Sequence, residues 1–271
     1  HSISPLMHNE SFRLLGLDYV YLCFDVNEET LPAAVAGLKT CGIRGFNLTM
    51  PNKNKIVELL DELSPEAQLI GAVNTVLNDN GKLIGYNTDG YGFMQSVRDA
   101  GHDITGKNIT VMGVGGASMA ICAQSALDGA ASVHIFARRT SRYWNRTQKF
   151  AENLSTKTGC QVCLFDNDDH TALRDSIAQS YLLINATSVG MVPDIDDTII
   201  KDTSLFHPEL VVADVVYEPQ ETRLLREAKA VGCQTFNGMY MLLHQGAKAF
   251  QIWTGQEMPV SVIKEKYFSV K

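Results

Sequence analysis

Apolar and polar positions change period repeatedly along the chain, and the changes mark out alternating helices and strands. Apolar residues at helical spacing over about 5–15, with Pro5 near the start and Gly16 as the stop, predict a first helix with Ser4 as its cap. The alternating run YVYLCFDV predicts a strand, followed by a helix over about 28–40, the strand IRGFNLT and a helix opening near Asn52. SPEAQLIGA predicts a short helix. NTVLN and KLIGYN, joined by Asp79-Asn80-Gly81, predict a hairpin.

From Asp89 onward the texture changes to short, continuously apolar runs separated by helical stretches. NITVMG, VHIFA, CQVCLF, YLLINAT, LVVADVV and CQTFN are predicted strands, the pattern of a doubly wound parallel sheet. A last helix, MYMLLHQGAKAFQIWTG, carries apolar residues at 239, 242, 243, 246, 250 and 253, one broad face that predicts a return onto the first domain.

Composition narrows the function. The 271 residues are 45% apolar and 20% charged with a formal net charge of -7, ordinary globular statistics without a basic footprint for nucleic acid or an anionic membrane. No apolar run has the length of a membrane span and no leader pattern opens the chain, so small-molecule partners and a cytoplasmic setting are expected. The 6 cysteines sit in a chain too long for a disulfide scaffold and are expected as reduced thiols. Cys160 and Cys163 fall on a predicted strand, where residues three apart face opposite ways, so no metal is expected.

GVGGAS, residues 113–118, follows a buried-type strand and opens a helix, the place of a phosphate-binding turn. Gly113 permits the tight turn, Gly115 lets a pyrophosphate approach the backbone, and the helix start supplies N–H donors. Ser118 stands where the fingerprint has its third glycine. The end of the next strand is Ala137 instead of an acidic residue, and the turn after it reads Arg138-Arg139-Thr140-Ser141-Arg142. An acidic group there holds a free ribose hydroxyl, whereas guanidinium groups clamp a phosphate, so NADP is tolerated.

Four polar clusters remain: Ser2 with Ser4, Thr49 with Lys53, Asn74, and Asn87-Thr88-Asp89. Each alone has a plain reading as a cap, a surface lysine or a hairpin edge. Together they offer hydroxyls, an amide, a lysine and a carboxylate, an inventory suited to a small polyhydroxylated carboxylic acid beside a nicotinamide.

HSISP, NLTMPNK, GAVNT, NTDG, GVGGAS, NATSVGM and LLHQGAKAF, in this order, resemble the shikimate dehydrogenase family across nearly the whole chain, with details closest to its quinate/shikimate dehydrogenase branch. The resemblance implies an N-terminal α/β substrate domain over 1–88, completed by 239–271, and a Rossmann-like dinucleotide domain over 89–238. It implies oxidation and reduction of shikimate or quinate with NAD and/or NADP and no metal, in a chain that can form a homodimer. Lys53 and Asp89 are implied as the catalytic pair. Ser2 and Ser4 would hold the substrate carboxylate, and Thr49, Asn74 and Gln245 its ring hydroxyls, with Tyr217 close by. Gly113, Gly115, Gly116, Ala117 and Ser118 would meet the pyrophosphate, and Arg138, Arg139 and Arg142 the adenosine ribose. Thr187, Ser188, Met191 and Gly238 would lie along the path to the nicotinamide. The family's usual strand ahead of the first serine motif is missing from the sequence, which implies a truncated chain. The alternatives left open are a non-catalytic sensor of the same ligands and a dehydrogenase of a related cyclic hydroxy or amino acid.

Overall fold

A computed structural model describes residues 2–268; His1 of the HSISP motif and residues 269–271 lie outside the described residues. The chain divides into two compact units, one made of the residues up to Gly92 together with those from Leu242 onward, the other of Phe93–Met241. The division expected after 88 and 238 lies a few residues upstream, at the starts of two helices.

The first unit opens with α1 (Ser4–Leu14) and α2 (Leu31–Thr40). Its four-stranded sheet has the order β1-β3-β4-β2, from β1 (Gly45–Asn47), β2 (Glu62–Leu63), β3 (Thr75–Asp79) and β4 (Lys82–Tyr86). The expected hairpin is β3–β4, antiparallel, with the Asn78 Oδ1 accepting the Gly81 N–H at 2.8 Å to hold the turn. Between β1 and β3 the chain forms α3 (Asn52–Lys55), which passes into a 3-10 turn, and α4 (Pro65–Ile70). Ser64 caps α4 by accepting the Ala67 N–H at 3.3 Å. Leu31, Val35, Ile56, Ala67, Val73, Val76 and Leu83 form the core under this sheet.

Two expectations here are corrected. The cap of α1 is not Ser4: Ile3 holds that position, and the Ser2 Oγ accepts the Ser4 N–H at 3.2 Å. YVYLCFDV alternates as a strand does, yet it joins no ladder among the described residues. Alternation and β-branched or aromatic content suit a residue to a sheet, but a strand also needs a partner edge. This stretch finds a side chain instead, the Asn9 amide, which takes the Tyr21 N–H at 2.7 Å and donates to the Tyr21 carbonyl at 3.0 Å. Val20, Leu22 and Phe24, two residues apart, stay more than half exposed.

The second unit begins within α5 (Asp89–Asp99). Its parallel six-stranded sheet has the order β10-β9-β8-β5-β6-β7, from β5 (Asn108–Met112), β6 (Ser132–Ala137), β7 (Gln161–Asp166), β8 (Leu182–Asn185), β9 (Val211–Asp214) and β10 (Gln234–Phe236). This is the doubly wound order, reversing between β5 and β8. Both β8 and β9 are buried throughout, which explains their unbroken apolar sequence. The connecting helices are α6 (Gly116–Leu127), α7 (Trp144–Thr158), α8 (His170–Gln179) and α9 (Arg223–Val231).

The chain then returns to the first unit through α10 (Met239–Thr254) and α11 (Val260–Tyr267). The Trp253 Nε1–H donates to the Val76 carbonyl at 2.9 Å, and a side chain on Gly45 would collide with the Trp253 ring. Beside it His8 is stacked on Tyr21, their centroids 4.6 Å apart. No described helix is long and apolar enough to cross a membrane.

Candidate active site

In the first unit the NLTMPNK turn carries Lys53 toward the start of α5. Met50–Pro51 is a cis peptide, the Thr49 carbonyl accepts the Asn52 N–H at 3.0 Å, and the Asn52 amide donates to the Val26 carbonyl at 2.7 Å. Asp89 is the first residue of α5, where a carboxylate is favoured by the helix dipole. The Asn87 Oδ1 accepts the Asp89 N–H at 3.2 Å and the Asn87 amide donates to the Ala72 carbonyl at 3.1 Å, so the carboxylate stands on a fixed base.

Lys53 Nζ lies 2.6 Å from Asp89 Oδ2, with side-chain exposures of 20% and 11%. The pair is thus charge-assisted and largely shielded, yet the lysine keeps an accessible edge. Asn74, buried at the entry to β3, donates to Asp89 Oδ1 at 2.9 Å and to Thr88 Oγ1 at 2.9 Å. Its amide has only those two hydrogens, so the 3.5 Å approach to Gln245 Oε1 is the weakest of its contacts and leaves that oxygen free to accept from elsewhere. Gln245 is aimed by its own Nε2–H, which donates to the Leu242 carbonyl at 3.0 Å.

The serines connect to this cluster through residues that no motif singled out. The Tyr21 hydroxyl, with Ser4 as its neighbour, donates to Asn47 Oδ1 at 3.0 Å. The Asn47 amide donates to the Asn74 carbonyl at 3.1 Å and to Thr75 Oγ1 at 2.9 Å, and the Thr75 hydroxyl donates to Asn74 Oδ1 at 3.0 Å. Burial pushes the Tyr21 phenol up to about 12, so it serves as a neutral link. The side-chain types of Tyr21, Asn47 and Thr75 are ordinary; the pairing of β1 with β3 brings Asn47 beside Thr75, and the Asn9 amide holds the backbone of Tyr21, whose hydroxyl reaches Asn47. Ser2 and Thr49 are exposed, and the Thr49 hydroxyl makes no hydrogen bond among the described residues.

In the second unit the glycine turn lies between β5 and α6. Gly113 has φ +113°, and a Cβ there would stand 2.8 Å from Thr187 Cγ2, so the position demands glycine twice over. Ser118, in place of the third glycine, is buried and donates its hydroxyl to the Gly113 carbonyl at 2.5 Å, closing the turn from beneath. Above Gly115 and Gly116 there is open space, and both are exposed. With Ala117 they begin α6, whose first N–H groups have no partner within the helix.

The turn after β6 presents Arg138, Arg139 and Arg142, all exposed and without a carboxylate partner among the described residues. Arg139 lies over the Trp144 ring at 4.6 Å and Arg142 over Tyr143 at 4.7 Å, which orders two of the guanidinium groups. Thr187, Ser188 and Met191 follow β8, Tyr217 follows β9 and is 40% exposed, and Gly238 packs so closely on the Val215 carbonyl that a side chain would collide with it. The free cysteines include Cys160 and Cys163, and no group of three His, Cys, Asp or Glu able to hold a metal forms among the described residues.

Comparison with known proteins converges on one family. Residues 1–76 match the shikimate dehydrogenase substrate binding domain, and residues 238–266 match the shikimate 5'-dehydrogenase C-terminal domain. A protein of Listeria innocua named shikimate dehydrogenase (NADP(+)) is 53% identical over 268 residues, 99% of this chain and 92% of the relative. The crystal structure of shikimate 5-dehydrogenase from Listeria monocytogenes in complex with shikimate and NAD superposes with a TM-score of 0.95 at 52% identity, covering 98% of this chain and 91% of that one. Quinate dehydrogenase from Corynebacterium glutamicum in complex with NAD gives a TM-score of 0.87 at 32% identity, over 99% of this chain and 95% of that one.

Proposed function

The chain belongs to the shikimate dehydrogenase family, and we propose that its Lys53–Asp89 pair carries the proton transfer of the family's reaction. The protein is an NAD(P)-dependent oxidoreductase that interconverts shikimate and 3-dehydroshikimate, with quinate as the related substrate. The observation that carries the proposal is the 2.6 Å Lys53–Asp89 contact, braced by Asn74 at 2.9 Å.

The second unit's glycine turn fits a dinucleotide: open space above Gly115 and Gly116, a helix start behind them and arginines after β6 that pair with no carboxylate among the described residues are the features a pyrophosphate and a ribose phosphate require. NAD(P), when bound, supplies the hydride acceptor or donor. Gly113, Gly115, Gly116, Ala117 and Ser118 would hold the pyrophosphate, while Arg138, Arg139 and Arg142 would take the ribose or its phosphate. Thr187, Ser188, Met191 and Gly238 would line the approach to the nicotinamide.

The chain's own residues handle the rest. Ser2 and Ser4 offer neutral hydroxyl donors to the substrate carboxylate, and Thr49, Asn74 and Gln245 meet the ring hydroxyls, with Tyr217 as a further contact. In the reducing direction Lys53 gives a proton from Nζ to the carbonyl oxygen as the carbon accepts hydride; in the oxidising direction the hydroxyl proton returns to Nζ. Asp89 keeps the lysine aimed and balances its charge, so charge developing on oxygen meets a donor already in place.

The test is nicotinamide absorbance with shikimate and quinate crossed against NAD and NADP. Shikimate with NADP is expected to turn over fastest, and replacing Arg138, Arg139 and Arg142 by alanine raises KM for NADP while leaving NAD nearly untouched. No turnover in any combination, with ligand binding intact, overturns the dehydrogenase reading in favour of a ligand sensor.

A further inference from the structure

A carboxylate is sealed beneath the loops at the C-terminal ends of β8 and β9. Asp214, the last residue of β9, has no exposed surface. Its Oδ1 accepts the Asn185 amide at 3.0 Å and the Val216 N–H at 2.9 Å, and its Oδ2 accepts the Thr222 hydroxyl at 2.7 Å. Among the described residues no cation pairs with it. Burial pushes its carboxyl above the usual range, and the donors from Val216, Thr222 and Asn185 pull it back.

The partners reach outward. Asn185 ends β8 in register with Asp214 and is equally buried. Its Oδ1 accepts both the N–H and the hydroxyl of Thr187, at 3.1 and 2.6 Å, and its amide also donates to the Val189 carbonyl at 3.1 Å. Thr187 abuts Gly113 of the glycine turn. Thr222, 1% exposed, caps α9, and Gly190 packs on it with φ +90°, where a Cβ would sit 3.5 Å from Thr222 Cβ. One side chain therefore fixes the turn after β8, the turn after β9 and the start of α9.

Packing alone does not require a charge in this place, because burying an anion without a cation is costly. A carboxylate accepts from several donors at once through two oxygens, whereas an asparagine has one acceptor oxygen. Charge-assisted bonds are also shorter and stiffer than neutral ones. The loops it ties lie at the carboxyl ends of parallel strands, on β8, which borders the reversal of strand order, and on β9 beside it.

We propose that Asp214, acting through Asn185 and Thr222, is a positioning residue that holds the Thr187–Gly190 turn against the glycine turn in the geometry that binds the dinucleotide. The inference rests on the reading that these two turns hold NAD(P).

The experiment compares the parent with Asp214→Asn, Thr222→Val and Thr222→Ser. It measures calorimetric NADP affinity without substrate, KM for both substrates, kcat, and thermal melting. In Asp214→Asn and Thr222→Val the NADP affinity falls about tenfold, the effect of losing one hydrogen bond to a charged group, and KM for NADP rises more than KM for shikimate. Thr222→Ser, which keeps the hydroxyl, restores parental NADP affinity. NADP affinity unchanged in Thr222→Val, with or without a lowered melting temperature, overturns the proposal, as does equal loss in Thr222→Val and Thr222→Ser. Should Asp214→Asn fail to fold, the Thr222 pair decides. A parent that binds no dinucleotide refutes the functional reading itself, a result visible before any variant is made.

Discussion

Replacing Lys53 by methionine keeps most of the aliphatic stem and removes only the ammonium group. The kinetic loss is set by proton transfer: a positioned acid or base contributes about 10²–10⁴ in rate, or roughly 3–5 kcal/mol of barrier at 1.36 kcal/mol per decade. Substrate binding changes little, because Gln245, Asn74, Thr49 and the serines remain, so KM for shikimate stays within about threefold. The structural loss is smaller. Asp89 retains its bond from Asn74 at 2.9 Å and its base at Asn87, and the lost contact at 2.6 Å is partly open to water. A charge-assisted bond discounted for that exposure gives about 1–2 kcal/mol in urea unfolding. Lys55→Met is the control, since Lys55 is half-exposed and among the described residues pairs only with Glu58 at 3.4 Å, the weak kind of surface pair. Initial rates at saturating shikimate and NADP, with the unfolding curves beside them, make the comparison. A kcat for Lys53→Met within threefold of the parent, or a loss carried wholly by KM, refutes the assignment of the proton to Lys53.

Two further outcomes follow from the described geometry. Gly113→Ala should abolish dinucleotide binding measured by calorimetry while shikimate still binds, because the backbone there is left-handed and the new Cβ meets Thr187 at 2.8 Å; unchanged NADP affinity would show that the turn relaxes. His8, buried with neither ring nitrogen hydrogen-bonded among the described residues and its pKa pressed down by burial to about 3 from 6.5, makes the fold sensitive to acid. The unfolded chain binds the proton that the folded chain refuses, so stability falls as pH drops from about 6.5 toward 3, at up to about 1.4 kcal/mol per pH unit. His8→Phe loses no hydrogen bond and should flatten that slope in urea titrations at pH 7 and pH 5; an unaltered slope rules out His8 as its source.

The parallel sheet was legible in sequence because β5, β6, β8 and β9 are buried strands whose apolar runs stop at glycine or polar turns. The hairpin was legible from Asn80-Gly81. β2 was not, since two residues, Glu62 and Leu63, give no period to read. YVYLCFDV misled for the opposite reason: its period is clear, but pairing depends on what lies beside it. Lys53 and Asp89 stood out as chemistry at element ends, and Ser118 drew notice only as a departure from a glycine pattern, although it buttresses the turn. Asp214 and Asn185 ended apolar runs without any local signal, because their partnership exists only in the register between β8 and β9.

The bond from the Trp253 indole to the Val76 carbonyl bears on how the chain can assemble. It joins positions 177 residues apart, and the whole second unit is encoded between them. During synthesis from the N-terminus, Phe93–Met241 can complete its parallel sheet while the first 92 residues still lack α10 and α11. Closing so long a loop costs entropy before any contact rewards it, so the first unit is expected to mature after the second. Until α10 is made, the aromatic surface awaiting Trp253 and Phe250 is exposed, and chain termination ahead of it would leave the segment bearing Lys53 and Asp89 unfinished while the dinucleotide-type sheet is complete.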